Sequence, residues 1–326
     1  AFRNARGDYN MGAIDMELYR KLGTRDALGA TLAEIGGEYP ELVVLAADCL
    51  ASVRGKAFAA KFPERAINFG IAEADMMMAA AGMATCGKIP VACTFGFLAS
   101  LRAGEMIRSG ICYPKLNVKI AATSSGLAMG DGGTTHHIIE DIAVLRSFAN
   151  LTILAPCDGV ATTKAVRAAI EFPGPVYLRL GRGGEPNVYK DDFDFEIGKA
   201  VTLREGSDVT IIAVGAVILR ALEAADILAK KGISARVIDM ITLKPIDRDI
   251  ILKAARETKL IVTAEDHNIL GGLGGAVAEV LSEEPSVPLR RVGIKDTFCS
   301  IGPTDELMDK YGLSGKAIAK EVLDYT

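Results

Sequence analysis

The sequence predicts an α/β protein of two domains, each a mostly parallel sheet flanked by helices. Three observations carry this expectation. Short, continuous apolar runs recur along the 326 residues, as strands buried on both faces require. Helical patterns separate the runs, which is the element order of a parallel sheet covered by helices. The texture then breaks over 181–197, rich in Gly, Pro and acids, before the alternation resumes. Such a stretch reads as an extended linker.

In the first set, strand candidates lie at 42–47, 66–69, 91–95, 116–122, 151–155 and 176–180. Helical patterns include 25–36, the Ala- and Met-rich stretch after Gly70, 138–148 and 159–171. In the second set, strands are expected at 209–214, 235–240, 260–264 and 289–292, and helices near 217–231, 247–258 and 275–281. The division that follows is an N-terminal arm at 1–18, a first domain at 19–190 and a second at 191–326.

Composition narrows the function. Half the residues are hydrophobic, enough for a sizeable core. Lys plus Arg is 37 and Asp plus Glu is 41, a net charge of −4, which gives no reason to expect nucleic acid or an anionic membrane as partner. No apolar run reaches membrane-spanning length. The six cysteines sit far apart with no C-x-x-C pair, the pattern of reduced thiols in a cytoplasmic protein. Neither that spacing nor the three histidines form a zinc pattern.

The stretch at 66–108 organises the rest. Glu73 stands where a helix begins after a short strand, among Ile71, Ala72, Ala74, Met76, Met77 and Met78. A glutamate there suits the helix dipole. A lone carboxylate in apolar company is also suited to carrying a proton. Met76–Met78 would serve either a core or a dimer contact.

Other motifs are weighed in turn. Gly130-Asp131-Gly132-Gly133 resembles a Mg²⁺ motif of thiamine-diphosphate enzymes, but Asn150, the next Asn, comes too soon to complete it. A glycine turn remains, leading into His136, His137, Glu140 and Asp141. Gly271–Gly275 follows a strand and opens a helix, with its glycines misplaced for a dinucleotide fingerprint. Tight strand-to-helix packing is the expectation there. Arg25, Ser52, Arg179 and Arg182 stand at loop positions from which a phosphate can be gripped.

Taken together, ADCLAS (47–52), INFGIAE (67–73), CTFGFLASLRAGEMIR (93–108), DGGTTHHIIEDIAVLR (131–146), VYLRLGR (176–182) and TAEDHNILGGLGGAVAE (263–279) resemble the C-terminal half of a transketolase. More closely, they resemble the stand-alone C-terminal subunit of split transketolases. The resemblance implies a pyrimidine-binding domain followed by the transketolase C-terminal domain. It also implies transfer of a two-carbon ketol unit between sugar phosphates, with thiamine diphosphate at the interface with a second subunit. That partner would carry the diphosphate-binding motif and its Mg²⁺ or Ca²⁺, this chain binding no metal. Two copies of each subunit are implied.

By the same resemblance Glu73 meets the pyrimidine ring of the cofactor and His136 handles substrate hydroxyl protons. Phe95 walls the pyrimidine; Asp48 and His267 lie on the cofactor side. Arg25, Ser52 and Arg182 hold the sugar phosphate. Leu98 replaces the usual stacking aromatic, with Phe97 next door. Ser124 stands where the family has a phosphate-facing His, and Gly132 where it has an Asp, which leaves the sugar open. The rivals are a β subunit of a 2-oxoacid dehydrogenase, a deoxyxylulose-phosphate synthase-like enzyme, and a non-catalytic subunit of the same fold.

Overall fold

The computed structural model describes residues 15–190, 192–284 and 287–325. Most of the expected arm, 1–14, lies outside the described residues. The chain forms two units. One holds the residues up to Ser125 together with Ser147–Ile197; the other holds Gly126–Arg146 and the residues from Gly198 onward.

In the first unit the chain runs through α1 (Met16–Tyr19), α2 (Thr24–Ile35), β1 (Leu42–Ala46), α3 (Lys56–Lys61), β2 (Ala66–Asn68), α4 (Glu73–Thr85), β3 (Ile89–Phe95) and β4 (Lys119–Thr123). After α5 (Asp141–Arg146), which belongs to the second unit, it continues with β5 (Thr152–Leu154), α6 (Gly159–Glu171) and β6 (Val176–Arg179). These strands lie in the order β5-β6-β4-β3-β1-β2, every pairing parallel. β1, β4, β5 and β6 are buried at every position, which is why their sequences show no alternation.

Helix α2 packs on α6 and α3, and α4 packs on β3 and β1. Asp158 caps α6 by accepting the Ala161 N–H at 2.8 Å. Its other oxygen accepts the Val188 and Tyr189 N–H groups, each at 2.8 Å. One buried carboxylate therefore starts a helix and tethers the extended 181–197 stretch. Lys119 is fully buried, and burial pulls its ammonium well below the ordinary lysine value. Its Nζ donates to Asn117 Oδ1 and to the carbonyls of Phe172 and Gly174 at 2.5, 2.7 and 2.7 Å, so all three donors are satisfied.

Tyr19 is fully buried and donates to Glu34 Oε2 at 2.6 Å, and Arg167 pairs with the same carboxylate. Burial first, then that hydrogen bond, pushes the phenol up from 10.0 to about 12. A raised native pKa means that the stabilisation is complete below pH 10 and is lost as pH rises toward 12. Over that window unfolding should become easier by about 1.4 kcal/mol per pH unit. In urea titrations at stepped pH, Tyr19→Phe should flatten this slope; an unchanged slope would assign it to another group.

The second unit contains α5, β7 (Val201–Arg204), β8 (Val209–Ala213), α7 (Ile218–Ala229), β9 (Ala235–Asp239), β10 (Thr242–Lys244), α8 (Arg248–Glu257), β11 (Ile261–Asn268), α9 (Leu273–Leu281), β12 (Leu289–Ile294), α10 (Thr304–Lys310) and α11 (Gly315–Leu323). Its sheet has the order β12-β11-β8-β9-β7, parallel except for β7. Helix α7 packs on α11, and α8 on α9.

Segment Gly126–Arg146 differs from the contiguous division drawn from sequence. Its contacts explain why it goes with the second unit. The Gly302 N–H donates to the Gly130 carbonyl at 3.0 Å, Thr134 Oγ1 to the Cys299 carbonyl at 2.7 Å, and Arg146 Nη1 to the Gly271 carbonyl at 2.9 Å. The helix expected at 138–148 shortens to α5, because Ile138 is used in an antiparallel bridge with Gly126. All six cysteines are free, and only Cys86 is exposed. No helix among the described residues is long and apolar enough to cross a membrane.

Candidate active site

The strand order creates a crevice. β1 lies between β2 and β3. The chain leaves β1 toward β2 and leaves β3 toward β4, so the two loops diverge at the carboxyl ends of adjacent strands. In parallel α/β sheets ligands bind at such a switch point. Asp48 and Cys49 follow β1, Phe95 ends β3, and Glu73 opens α4 immediately after β2. Asp48 adopts a φ of +54° and donates its N–H to Asn68 Oδ1 at 2.9 Å, tying the end of β1 to the end of β2.

Glu73 is 2% exposed. It is not the lone carboxylate that the local sequence implies: Arg102 Nη1 donates to its Oε2 at 3.1 Å. Arg102 is 29 positions away and its side chain is 55% exposed. Among the described residues Oε1 takes no hydrogen bond. Burial pushes the Cys49 thiol up, and the charge of Glu73 adds to this, so thiol and carboxylate are neighbours. The rings of Phe95 and Phe97 stack with centroids 6.4 Å apart and planes 13° apart. Phe97 thus extends the aromatic surface, and Leu98 is half-buried beside it at the start of an irregular turn, Leu98–Arg102. Met76 and Met77 are core side chains at 0% exposure, so of the three methionines only Met78 faces outward. Ile71, Leu101 and Tyr113 are other exposed apolar side chains of this unit.

The expected phosphate-gripping set also lies in the first unit. Gly181 donates its N–H to Thr24 Oγ1 at 2.9 Å, although the two are 157 positions apart. Glu185 accepts the Thr24 N–H at 2.8 Å and the Gly183 N–H at 2.9 Å. This knot brings Arg182 to Arg25. Burial, then the charge of Arg54, pulls the Arg25 guanidinium below its ordinary value; Arg182 adds to the effect, while Asp26 and Glu185 oppose it. Arg25 Nε is buried with no hydrogen-bond partner. Ser52 is exposed in a turn that Arg54 ties to α2 through Asp26 at 2.6 Å.

Ser124 joins the same knot: its N–H donates to the Gly181 carbonyl at 2.9 Å. It holds a left-handed φ of +57°, and its buried hydroxyl has no hydrogen-bond partner. Backbone strain and an orphaned hydroxyl in one residue mark a functional position. Neither was visible in the sequence.

His136, His137 and His267 belong to the second unit. His136 is half-buried, with Nδ1 3.0 Å from Thr135 Oγ1. His137 is buried, and burial pulls its imidazole below the ordinary value. Gly130–Gly132 forms a 3₁₀ turn, and among the described residues no cluster of His, Cys, Asp or Glu could hold a metal.

His267, expected on the cofactor side, is 0% exposed. Its Nδ1 lies 2.6 Å from the Asn268 carbonyl, and its Nε2 accepts the Ala143 N–H at 3.3 Å. A carbonyl only accepts, so Nδ1 carries the proton. The ring is a neutral strut to α5. The Gly271–Gly275 turn packs tightly, as expected. Glu265 reaches into it, accepting the Leu273 and Gly274 N–H groups at 2.7 and 2.8 Å. A side chain on Gly272 would collide with that carboxylate. The protein's own anion thus occupies the helix start that a phosphate would seek.

These features define a two-unit α/β protein of the ligand-binding type. Residues 20–186 match the transketolase pyrimidine-binding domain and residues 198–318 the transketolase C-terminal domain. A putative transketolase C-terminal section from Methanocaldococcus jannaschii is 46% identical over 93% of this chain and 96% of that protein. One of the two subunits of an apulose-4-phosphate transketolase from Phocaeicola vulgatus is 41% identical over 93% of this chain and 97% of its own length. Among solved structures, a split-gene transketolase, crystallised as an inactive β4 tetramer, superposes with a TM-score of 0.85 at 48% identity, covering 93% of this chain and 97% of that one. The chain belongs to the transketolase family, in its split C-terminal form. Membership implies a transferase of carbohydrate metabolism that uses thiamine diphosphate.

Proposed function

We propose that this chain provides the pyrimidine side of a thiamine-diphosphate site and, with a partner subunit, transfers a two-carbon ketol unit between sugar phosphates. The observation that carries the reading is Glu73: a buried carboxylate at a switch-point crevice, with one oxygen still available for a hydrogen bond. The stacked Phe95–Phe97 pair offers the apolar wall that a flat ring needs. The residues present therefore fit the cofactor's pyrimidine.

When bound, thiamine diphosphate supplies the carbon that holds the migrating electron pair. Glu73 shares a proton with the pyrimidine ring nitrogen, which is general acid–base work by a positioned side chain. Asp48 and Leu98 border the same crevice. His136 exchanges protons with substrate hydroxyls. Arg25, Ser52 and Arg182 hold the substrate phosphate, a role that the unpartnered Arg25 Nε supports. The partner binds the diphosphate through Mg²⁺ or Ca²⁺, and the assembly contains two copies of each subunit. Exposed Ile71, Met78, Leu101 and Tyr113 suit contact with another subunit. The cell compartment proposed is the cytoplasm.

The test is to mix the chain with a diphosphate-binding transketolase subunit and assay ketol transfer beside pyruvate decarboxylation. Ketol transfer alone is expected; decarboxylation alone would favour the 2-oxoacid reading, and neither activity the non-catalytic one. Arg25→Ala should raise KM for a phosphorylated sugar by about 10- to 100-fold with kcat little changed. An unaltered KM would remove Arg25 from the phosphate site.

A further inference from the structure

We propose that the second unit carries a binding site for a small, multiply charged phosphorylated anion, built from residues that ketol transfer does not use. A pocket of ≈ 410 Å³ lies beside β12, α10 and α11, and its lining includes Arg291, Lys295, Lys310, Lys320, Tyr311 and Glu321. Four of these side chains are basic and one is acidic. The chain as a whole has a net charge of −4, so this concentration of positive charge runs against the overall balance.

The partners of these cations matter more than their number. Lys320 is offset by Asp324. The other three face no carboxylate among the described residues. Arg291 Nη1 donates to the Ile269 carbonyl at 2.9 Å. Lys310 Nζ donates to Ser300 Oγ at 2.7 Å. Lys295 makes no hydrogen bond or ion pair among the described residues. Elsewhere in this unit arginines are matched to acids: Arg204 with Asp226, Arg220 with Glu223 and Asp305, Arg236 with Glu205 and Glu257, and Arg248 with Glu283.

Neutral partners also hold the pocket's cations in place. Ser300 donates its N–H to the Tyr311 hydroxyl at 2.7 Å, and the two hydroxyls lie 3.3 Å apart. The Lys310 ammonium is thereby positioned without losing its charge. Arg291 is likewise fixed through one nitrogen, leaving other donors of its guanidinium. Several fixed cations in a concavity focus the field and favour a ligand with more than one negative charge. Lysine and arginine donors suit phosphate oxygens, and the volume is in the range of small-molecule sites.

The test is calorimetric titration of the full chain with inorganic pyrophosphate at constant ionic strength. It is done on Arg25→Ala/Arg182→Ala protein, so that the first unit's arginines do not contribute. One saturable event is expected. Adding Lys295→Ala and Lys310→Ala should weaken it by about tenfold or more, whereas Lys295→Arg alone should retain it. Both lysines are exposed, and unchanged circular dichroism will show that the variants fold. No saturable heat, or an affinity unchanged by the lysine substitutions, would overturn the site.

Discussion

Glu73→Gln is expected to lower ketol transfer in the reconstituted enzyme by about 10²- to 10⁴-fold, the span that a positioned acid–base group contributes. The amide keeps the shape of the carboxyl group and its place at the start of α4. It cannot share a proton with a ring nitrogen as an acid does. The loss should fall on kcat, with KM for the sugar little changed, because the group acts on the cofactor and not on the substrate. The fold should survive: Arg102 would lose its partner, but its side chain is 55% exposed and water can replace the carboxylate. A variant with wild-type kcat would remove Glu73 from the chemistry. A variant with lowered thermal stability would show instead that the Arg102 pair is structural.

The largest effect on stability is expected at Glu265. This carboxylate is 0% exposed and receives the Leu273 and Gly274 N–H groups where α9 begins. Glu265→Ala would leave both donors buried without partners, next to the positive end of the helix dipole. Such losses cost about 1–3 kcal/mol for each unsatisfied group, so a total of about 2–5 kcal/mol is expected for the second unit. Denaturant unfolding should show a lower midpoint. Glu265→Gln keeps one acceptor oxygen and should recover part of the loss. A midpoint within experimental error of wild type would mean that water reaches the helix start.

Much of the architecture was legible because buried parallel strands announce themselves as unbroken apolar runs. The expected strands of the first unit appear as β1–β6, and those of the second as β8, β9, β11 and β12. β7 did not, because it is an edge strand of mixed exposure with no apolar run to betray it. Glu73 could be picked out from its position at a strand-to-helix junction. Its partner Arg102 could not, since the pair is made by the fold and not by local spacing. The Arg25–Arg182 proximity is equally non-local, set by the Thr24–Gly181 hydrogen bond. Ser124 was noticeable only as a departure from a family pattern; its strained backbone and orphaned hydroxyl needed coordinates. His267 shows the opposite case. A histidine beside a glycine-rich turn looked available, yet the packing of α5 encloses it.

The excursion of Gly126–Arg146 bears on how this protein can be taken apart. A gene fragment ending near residue 190 would encode the loop that bears His136 but none of the carbonyls that hold it, such as those of Cys299 and Gly271. A fragment beginning there would lack α5, and so the N–H that His267 accepts. The protein is modular in space but interleaved along the chain, so recombining halves between relatives calls for exchanging the excursion together with the C-terminal piece.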